Sequence, residues 1–418
     1  MKFLRSQRWL RGVTVVGLLV ALGAAAEAKH DPKSLGFIKG YSWGWTGWRG
    51  SYAAPQADES LEKLADTGTE WVCIAFAPNM KSYDSPEIIF GDANPEMITD
   101  DELRGAIDKA RAAGMTPMLK PVVNSADDVW RAWIRFYRPV TDEERAAGIT
   151  GEMDPWGEKP QMREGEVKDL AQWDAWWDDY TNYIVHYAKI AEEREVPVLC
   201  LGCEMNSTEE FEDKWRALIK KVREVYHGQI TYDVNHGNEE KVKWFDDLDF
   251  ISISAYYPIL GPDGQIVETP AERTTSVAEI KAALEPVKKH LAEVSAKWGK
   301  PILFIESGVT AVRGCARTPW AHVDERADWP IDEQEQANYY QANFETFWNE
   351  PWFMGWCWWD WPARLYPDAA AATDRSFCVY GKQAEQVLRE WYAKPAPEAQ
   401  FKTVKGQAGS ESGPDPSK

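Results

Sequence analysis

Short apolar runs and amphipathic stretches take turns along most of this chain, and the alternation predicts its elements. Strands are expected over 36–45, 70–76, 116–123, 198–204, 229–235, 250–256, 301–306 and 352–359. Helices are expected over 56–66, 100–113, 173–194, 209–226, 239–245, 277–298, 333–348 and 383–391. The third helix shows the period best: Trp176, Tyr180, Tyr183, Ile184, Tyr187 and Ile190 recur at helical spacing. Eight strands in strict alternation with eight helices imply a parallel sheet. Eight such units over roughly 360 residues fit an α/β fold of the closed (β/α)8 TIM-barrel type, a single domain with enlarged βα loops. The longest loop is the excursion 124–166. A doubly wound open sheet would carry a Gly-rich phosphate loop after an early strand, and none is present.

A barrel turns its strand ends toward one rim, so charges at strand ends carry meaning. Glu204 closes the run Val198-Leu199-Cys200-Leu201-Gly202-Cys203, and Glu306 closes Pro301-Ile302-Leu303-Phe304-Ile305. Desolvating a carboxylate at the end of a buried strand is costly unless it has a partner or a task. The two residues end the fourth and seventh strands, which lie across the barrel mouth from one another. Two carboxylates facing across a cleft are the equipment for breaking a glycosidic bond. Two adjacent carboxylates resist ionising together, which suits one to act as acid and the other as nucleophile.

Composition narrows the partners. The chain of 418 residues has 47 Lys and Arg against 67 Asp and Glu, a net charge of −20. That argues against nucleic acid or an anionic membrane surface and suits a neutral or cationic ligand. The 23 Trp, 16 Tyr and 14 Phe favour a site that stacks flat apolar faces such as sugar rings, although most individual Trp are expected in the core. The basic start Met1–Arg11, the apolar run Val13–Ala26 and the small-x-small triplet Ala26-Glu27-Ala28 read as a cleaved signal peptide over 1–28. The barrel domain is then expected over 29–395, in a secreted or periplasmic protein expected to have no membrane association after cleavage. The Gly-, Ser-, Pro- and charge-rich tail 396–418 is expected to be disordered. Of six Cys, Cys73, Cys200, Cys203 and Cys357 fall in buried strands, where Cys serves as a small apolar residue. Strand alternation puts Cys200 and Cys203 on opposite faces, which argues against a metal site there. Cys315 and Cys378 lie in late loops, and a bridge between them stays open.

In sum of its motifs the chain resembles glycoside hydrolase family 113, within the large clan of retaining (β/α)8-barrel glycosidases. The segments that carry the likeness are Gly40-Tyr41-Ser42-Trp43-Gly44-Trp45, Glu59-Ser60-Leu61, Met118-Leu119-Lys120-Pro121, Leu201-Gly202-Cys203-Glu204, Trp215-Arg216 and Ile230-Thr231-Tyr232. They continue through Leu248-Asp249-Phe250-Ile251, Ala255-Tyr256-Tyr257-Pro258, Lys300-Pro301, Glu306-Ser307-Gly308, and Gly355-Trp356 with Trp358. Two positions depart from the pattern. Cys203 stands where most of the clan carries Asn, and Val122 where family members commonly carry His, which removes one polar sugar contact. The resemblance implies a retaining endo-β-glycosidase on β-1,4-mannan or a related β-linked hexopyranose polysaccharide, with Glu306 as nucleophile and Glu204 as acid/base. Tyr256 is then expected to hydrogen-bond the nucleophile, and Asn235 to reach the acid/base or a sugar hydroxyl. Lys120 is expected near sugar hydroxyls, or alternatively in an ion pair within the barrel. Trp45, Trp358 and Trp359 are expected at the sugar, with one of the last pair facing inward. Trp130, Trp133, Trp156, Trp173 and Trp176 are candidates for outer sugar platforms. No metal or organic cofactor is implied, and a monomer acting on a polysaccharide or oligosaccharide is expected. The alternatives are action on another β-glycan such as glucan, transglycosylation, or a catalytically inactive sugar-binding barrel.

Overall fold

The computed structural model describes residues 31–151 and 165–397. Eight parallel strands close into a barrel. They are β1 (Ile38–Trp43), β2 (Trp71–Phe76), β3 (Thr116–Pro121), β4 (Val198–Cys203), β5 (Gln229–Asn235), β6 (Ile251–Ser254), β7 (Ile302–Glu306) and β8 (Phe353–Trp361). Each strand pairs with the next in sequence, and β8 closes on β1. The long helices are α1 (Pro55–Ala65), α2 (Asp100–Ala112), α3 (Leu170–Glu193), α4 (Glu212–Arg223), α5 (Val277–Trp298), α6 (Glu333–Phe347) and α7 (Gln383–Tyr392). Local chemistry sets several of their ends. Pro55 opens α1, where its missing N–H is not needed. Thr99 with Glu102 and Ser276 with Glu279 form reciprocal caps on α2 and α5, and Gly299 ends α5 in the left-handed conformation at φ 64°.

The fifth βα unit departs from expectation. No helix forms over 239–245; the chain turns at 239–241 and makes only a 3-10 turn at Phe245–Asp247. Tertiary contacts outweigh helical propensity there. The Glu239 side chain accepts from the Gly237 N–H and from the Tyr257 hydroxyl, and Trp244 stacks on Trp215 at 4.6 Å. The excursion after β3 holds a short antiparallel ribbon (Tyr137–Pro139 with Glu166–Lys168), a 3-10 turn at Arg131–Trp133 and a short helix at Asp142–Ala146.

Two packed layers flank the barrel wall. Inside lie the apolar side chains of Ile38, Cys73, Met118, Cys200, Leu303, Ile305 and Cys357. Outside, the helices bury an aromatic layer in which Trp43, Trp176, Trp215, Trp244, Trp356, Trp358 and Trp361 are fully enclosed. Much of the aromatic excess therefore serves barrel–helix packing, with Tyr180 also donating to the Leu201 carbonyl at 2.7 Å. Among the described residues, no helix is long and apolar enough to cross a membrane. All six Cys are buried and unbridged, so Cys315 and Cys378 form no disulfide. The leader over 1–28 and the tail from 398 onward lie outside the described residues, as does Trp156.

Register irregularities aim the strand ends. On β4, the step from Cys200 to Cys203 matches the shorter step from Thr231 to Asp233 on β5, so β4 carries one extra residue. Leu201 and Gly202 then both face the helices; a Cβ on Gly202 would lie 2.8 Å from the Tyr180 hydroxyl and 3.0 Å from the Trp215 ring. The expectation that Cys200 and Cys203 face opposite sides is overturned: the bulge turns both inward. On β7, Phe304 pairs with Ile253, and Glu306 with the very next residue, Ser254. The extra residue, Ile305, lets Glu306 face inward although Leu303 and Ile305 already do. Bulges of this kind re-aim side chains beside functional sites.

Candidate active site

At the C-terminal rim, a cavity of about 860 Å³ is lined by both Glu204 and Glu306. The rim is where βα loops of such barrels build their sites. Glu306 ends β7 and is held from the barrel itself. Its Oε1 accepts from Lys120 Nζ at 2.5 Å, and the same ammonium reaches Asp233 Oδ2 at 2.5 Å. Its Oε2 accepts from the Tyr256 hydroxyl at 3.3 Å and the Ser254 hydroxyl at 3.4 Å. Lys120 and Asp233 are both fully buried. Burial opposes the Lys120 charge, but Asp233 and Glu306 outweigh it and hold its pKa well above the ordinary lysine value. Burial and the charge of Glu306 raise the Tyr256 hydroxyl far above its usual range, so it stays a donor.

Glu204 follows β4 in the left-handed region, at φ 52°, and its N–H donates to the Asp233 carbonyl at 2.8 Å. A loop holds its side chain: Arg131 Nη1 donates to Oε2 at 2.7 Å, and the Trp130 indole N–H to the same oxygen at 3.3 Å. Burial first, then the charge of Glu306, pushes its pKa up to about 7, against a lowering pull from Arg131. One carboxyl is therefore ion-paired on a buried lysine, and the other is poised to hold a proton near neutrality.

The residues singled out from sequence divide between the cavity, its floor and the packing layer. Trp45, Asn235, Tyr256 and Trp359 line the cavity with the two glutamates. Trp45 and Trp359 meet edge-on at 5.2 Å. Lys120 lies beneath the cavity in the barrel ion pair rather than exposed to a sugar. Trp358 is not at the site: it points outward, stacked on Tyr340 at 4.0 Å. Of the outer candidates, Trp130 and Trp133 line the cavity, whereas Trp173 and Trp176 are buried in α3. The sequence reading missed Asp233, Ser254 and Arg131, and also Trp320, His236 and His322 on the cavity wall. His236 stacks on Trp320 at 5.5 Å, and burial lowers its pKa to about 4, so its imidazole is neutral. Cys203, Asp233 and Glu306 place possible ligand atoms within 4.8 Å of one another. The Lys120 ammonium bonds both carboxylates of this group, supplying the positive charge that a metal ion would bring.

The closed barrel and its carboxyl pair define the class as a (β/α)8-barrel glycoside hydrolase. The sequence profile of Glycoside Hydrolase Family 113 matches residues 41–148 and 152–382. Among solved structures, the chain is similar to the GH113 β-mannanase AaManA from Alicyclobacillus acidocaldarius, in complex with ManMIm. The identity is 34% and the TM-score 0.69, covering 85% of this chain and 97% of that one. It is also similar to two structures described as GH113 β-1,4-mannanase, at 33% and 31% identity, with TM-scores of 0.67 and 0.66. Each covers 85% of this chain and 99% of its own. Comparison with curated proteins returned no match. The chain belongs to glycoside hydrolase family 113.

Proposed function

We propose that this enzyme hydrolyses β-1,4-mannan, or a closely related β-linked hexopyranose polymer, as a retaining endo-acting glycosidase. The observation that carries the reading is the unlike setting of two carboxyls on one cavity: Glu306 on a buried ammonium, Glu204 with a pKa near 7. The family relatives named β-mannanases support the sugar. Aromatic walls on two loops, Trp130 with Trp133 after β3 and Trp320 after β7, support the binding of more than one sugar unit along the cavity. The basic and apolar leader supports export, so the polymer would be met outside the cytoplasm.

In the first step a sugar rests against Trp359 and Trp45, and a Glu306 oxygen attacks the anomeric carbon. The bond to the leaving oxygen breaks, and Glu204 gives that oxygen its proton. Glu306 is then esterified to the sugar. In the second step Glu204 takes a proton from water, and the water oxygen displaces Glu306 from the anomeric carbon. Two inversions give net retention. Lys120, Tyr256 and Ser254 receive the carboxylate as it departs, without moving, because all three sit on or beside barrel strands.

The first step needs Glu204 protonated, so kcat/KM should fall as pH rises through about 7. Proton NMR of the first product, with mannan, glucan and xylan run side by side, tests the proposal. The expected outcome is β-anomer first and mannan turned over fastest. An α-anomer first would overturn retention, and faster turnover of glucan or xylan would overturn the sugar.

A further inference from the structure

Arg131 is a charged side chain in the cavity that the reaction as described leaves without a role. It sits in the excursion after β3, with its side chain only 12% exposed. Its Nε donates to Asn124 Oδ1 at 3.3 Å, and its guanidinium lies 5.8 Å from the centre of the Trp45 ring. These contacts fix it before it reaches Glu204. Both Arg131 and the Trp130 indole donate to the same oxygen, Oε2. Among the described residues, no donor reaches Oε1.

A carboxyl whose one oxygen already accepts two N–H bonds carries its own proton on the other. Resting on the acid/base reading above, we propose that Arg131 is a positioning residue. It makes Oε1 the oxygen that delivers the proton, and it biases Glu204 toward the carboxylate once Glu306 is esterified.

The second half follows from the charges that face Glu204. They are Glu306 from β7, Asp233 from β5, Lys120 from β3 and Arg131 from the loop, with neutral Tyr256 and His236 on the same cavity. Glu306 opposes ionisation of Glu204, and Arg131 and Lys120 favour it. Esterifying Glu306 removes the opposing charge at the anomeric carbon. The pull of Arg131 remains, and Glu204 is released to act as base.

The test is the pH dependence of kcat/KM on a mannan oligosaccharide and on an aryl β-mannoside with a dinitrophenolate leaving group. R131M should move the alkaline limb upward by about one pH unit or more, because an adjacent cation is lost. It should slow the oligosaccharide far more than the activated glycoside, which needs no proton from Glu204. R131K should keep the limb near the parent position. An unmoved or lowered limb in R131M would overturn the proposal. So would failure of both R131M and R131Q to fold, since that assigns Arg131 to structure. Should the parent enzyme cleave no β-glycan, the proposed function fails by itself. Carbon-13 NMR titration of Glu204, in parent and R131M, then still decides whether Arg131 governs its proton.

Discussion

Glu306 and Glu204 open onto one cavity, yet different kinds of structure hold them. Glu306 is gripped by residues on or next to barrel strands: Lys120, Ser254 and Tyr256. Glu204 is gripped by Arg131 and Trp130, both from the long excursion after β3. On the proposed mechanism, the group that bonds to and leaves the sugar is held by residues on or beside the barrel strands. On the same proposal, the group that gains and loses a proton sits where one loop cation and one opposing carboxylate can tilt it. If both proposals hold, strand-borne contacts fix position and loop-borne contacts tune a proton.

Removing each carboxyl should give the largest effects and the sharpest contrast. E306A should lose more than about 10⁴-fold in kcat on every substrate, because no covalent step remains. E204A should lose about 10²–10⁴-fold on mannan but far less on a dinitrophenyl glycoside. Added azide should restore turnover in both, giving an inverted glycosyl azide from E306A and a retained one from E204A. The opposite pairing would exchange the two roles.

The next effect concerns the floor beneath Glu306. K120M leaves Asp233 and Glu306 as neighbouring buried carboxylates without their cation. Urea unfolding should show a loss of about 3–5 kcal/mol, and K120M/D233N should recover part of it. R131M should lose distinctly less, because K120M also strands the fully buried Asp233, whereas R131M uncovers only Glu204, which borders the cavity where water can solvate it. Equal losses would erase the distinction between strand-held and loop-held glutamates.

How far this arrangement could be read from sequence follows the same division. Strand periodicity exposed the barrel and both terminal glutamates, because a charge ending an apolar run violates burial. It could not expose the extra residues on β4 and β7, since register depends on the neighbouring strand. Asp233 lay in view within Gln229-Ile230-Thr231-Tyr232-Asp233-Val234-Asn235, and Lys120 within Met118-Leu119-Lys120-Pro121. Opposite charges inside two buried strands are themselves a pairing signal. Arg131 offered no such signal, because a loop has no period and its partner lies far along the chain. Trp358 and Trp359 could be split only into one inward and one outward; the structure turns Trp359 in and Trp358 out.

That pair extends the comparison across the barrel wall. W358A should cost about 3–5 kcal/mol of stability, as it empties a fully buried site beside Tyr340. Its KM for mannan should stay near the parent value in whatever folds. W359A should raise KM by up to about tenfold, for loss of a stacking face, with a smaller change in melting temperature. Equal KM effects would mean that the outward ring senses the sugar, which the stacking on Tyr340 argues against.

The smallest effects come from deleting one neutral donor at each glutamate, and they isolate position from proton tuning. Y256F removes the 3.3 Å hydroxyl contact to Glu306, and W130F removes the 3.3 Å indole contact to Glu204. At that length each contact should be worth about 1 kcal/mol, near a fivefold change in kcat/KM. The pH profiles should nevertheless differ. W130F takes a donor from the carboxylate form of Glu204, so its pKa rises and the alkaline limb moves up by a fraction of a unit. Y256F leaves every donor on Glu204 in place, so its limb should stay where the parent's lies while the plateau drops. A limb that moves in Y256F and not in W130F would mean that the strand-held glutamate governs the proton, and the division of labour would have to be reversed.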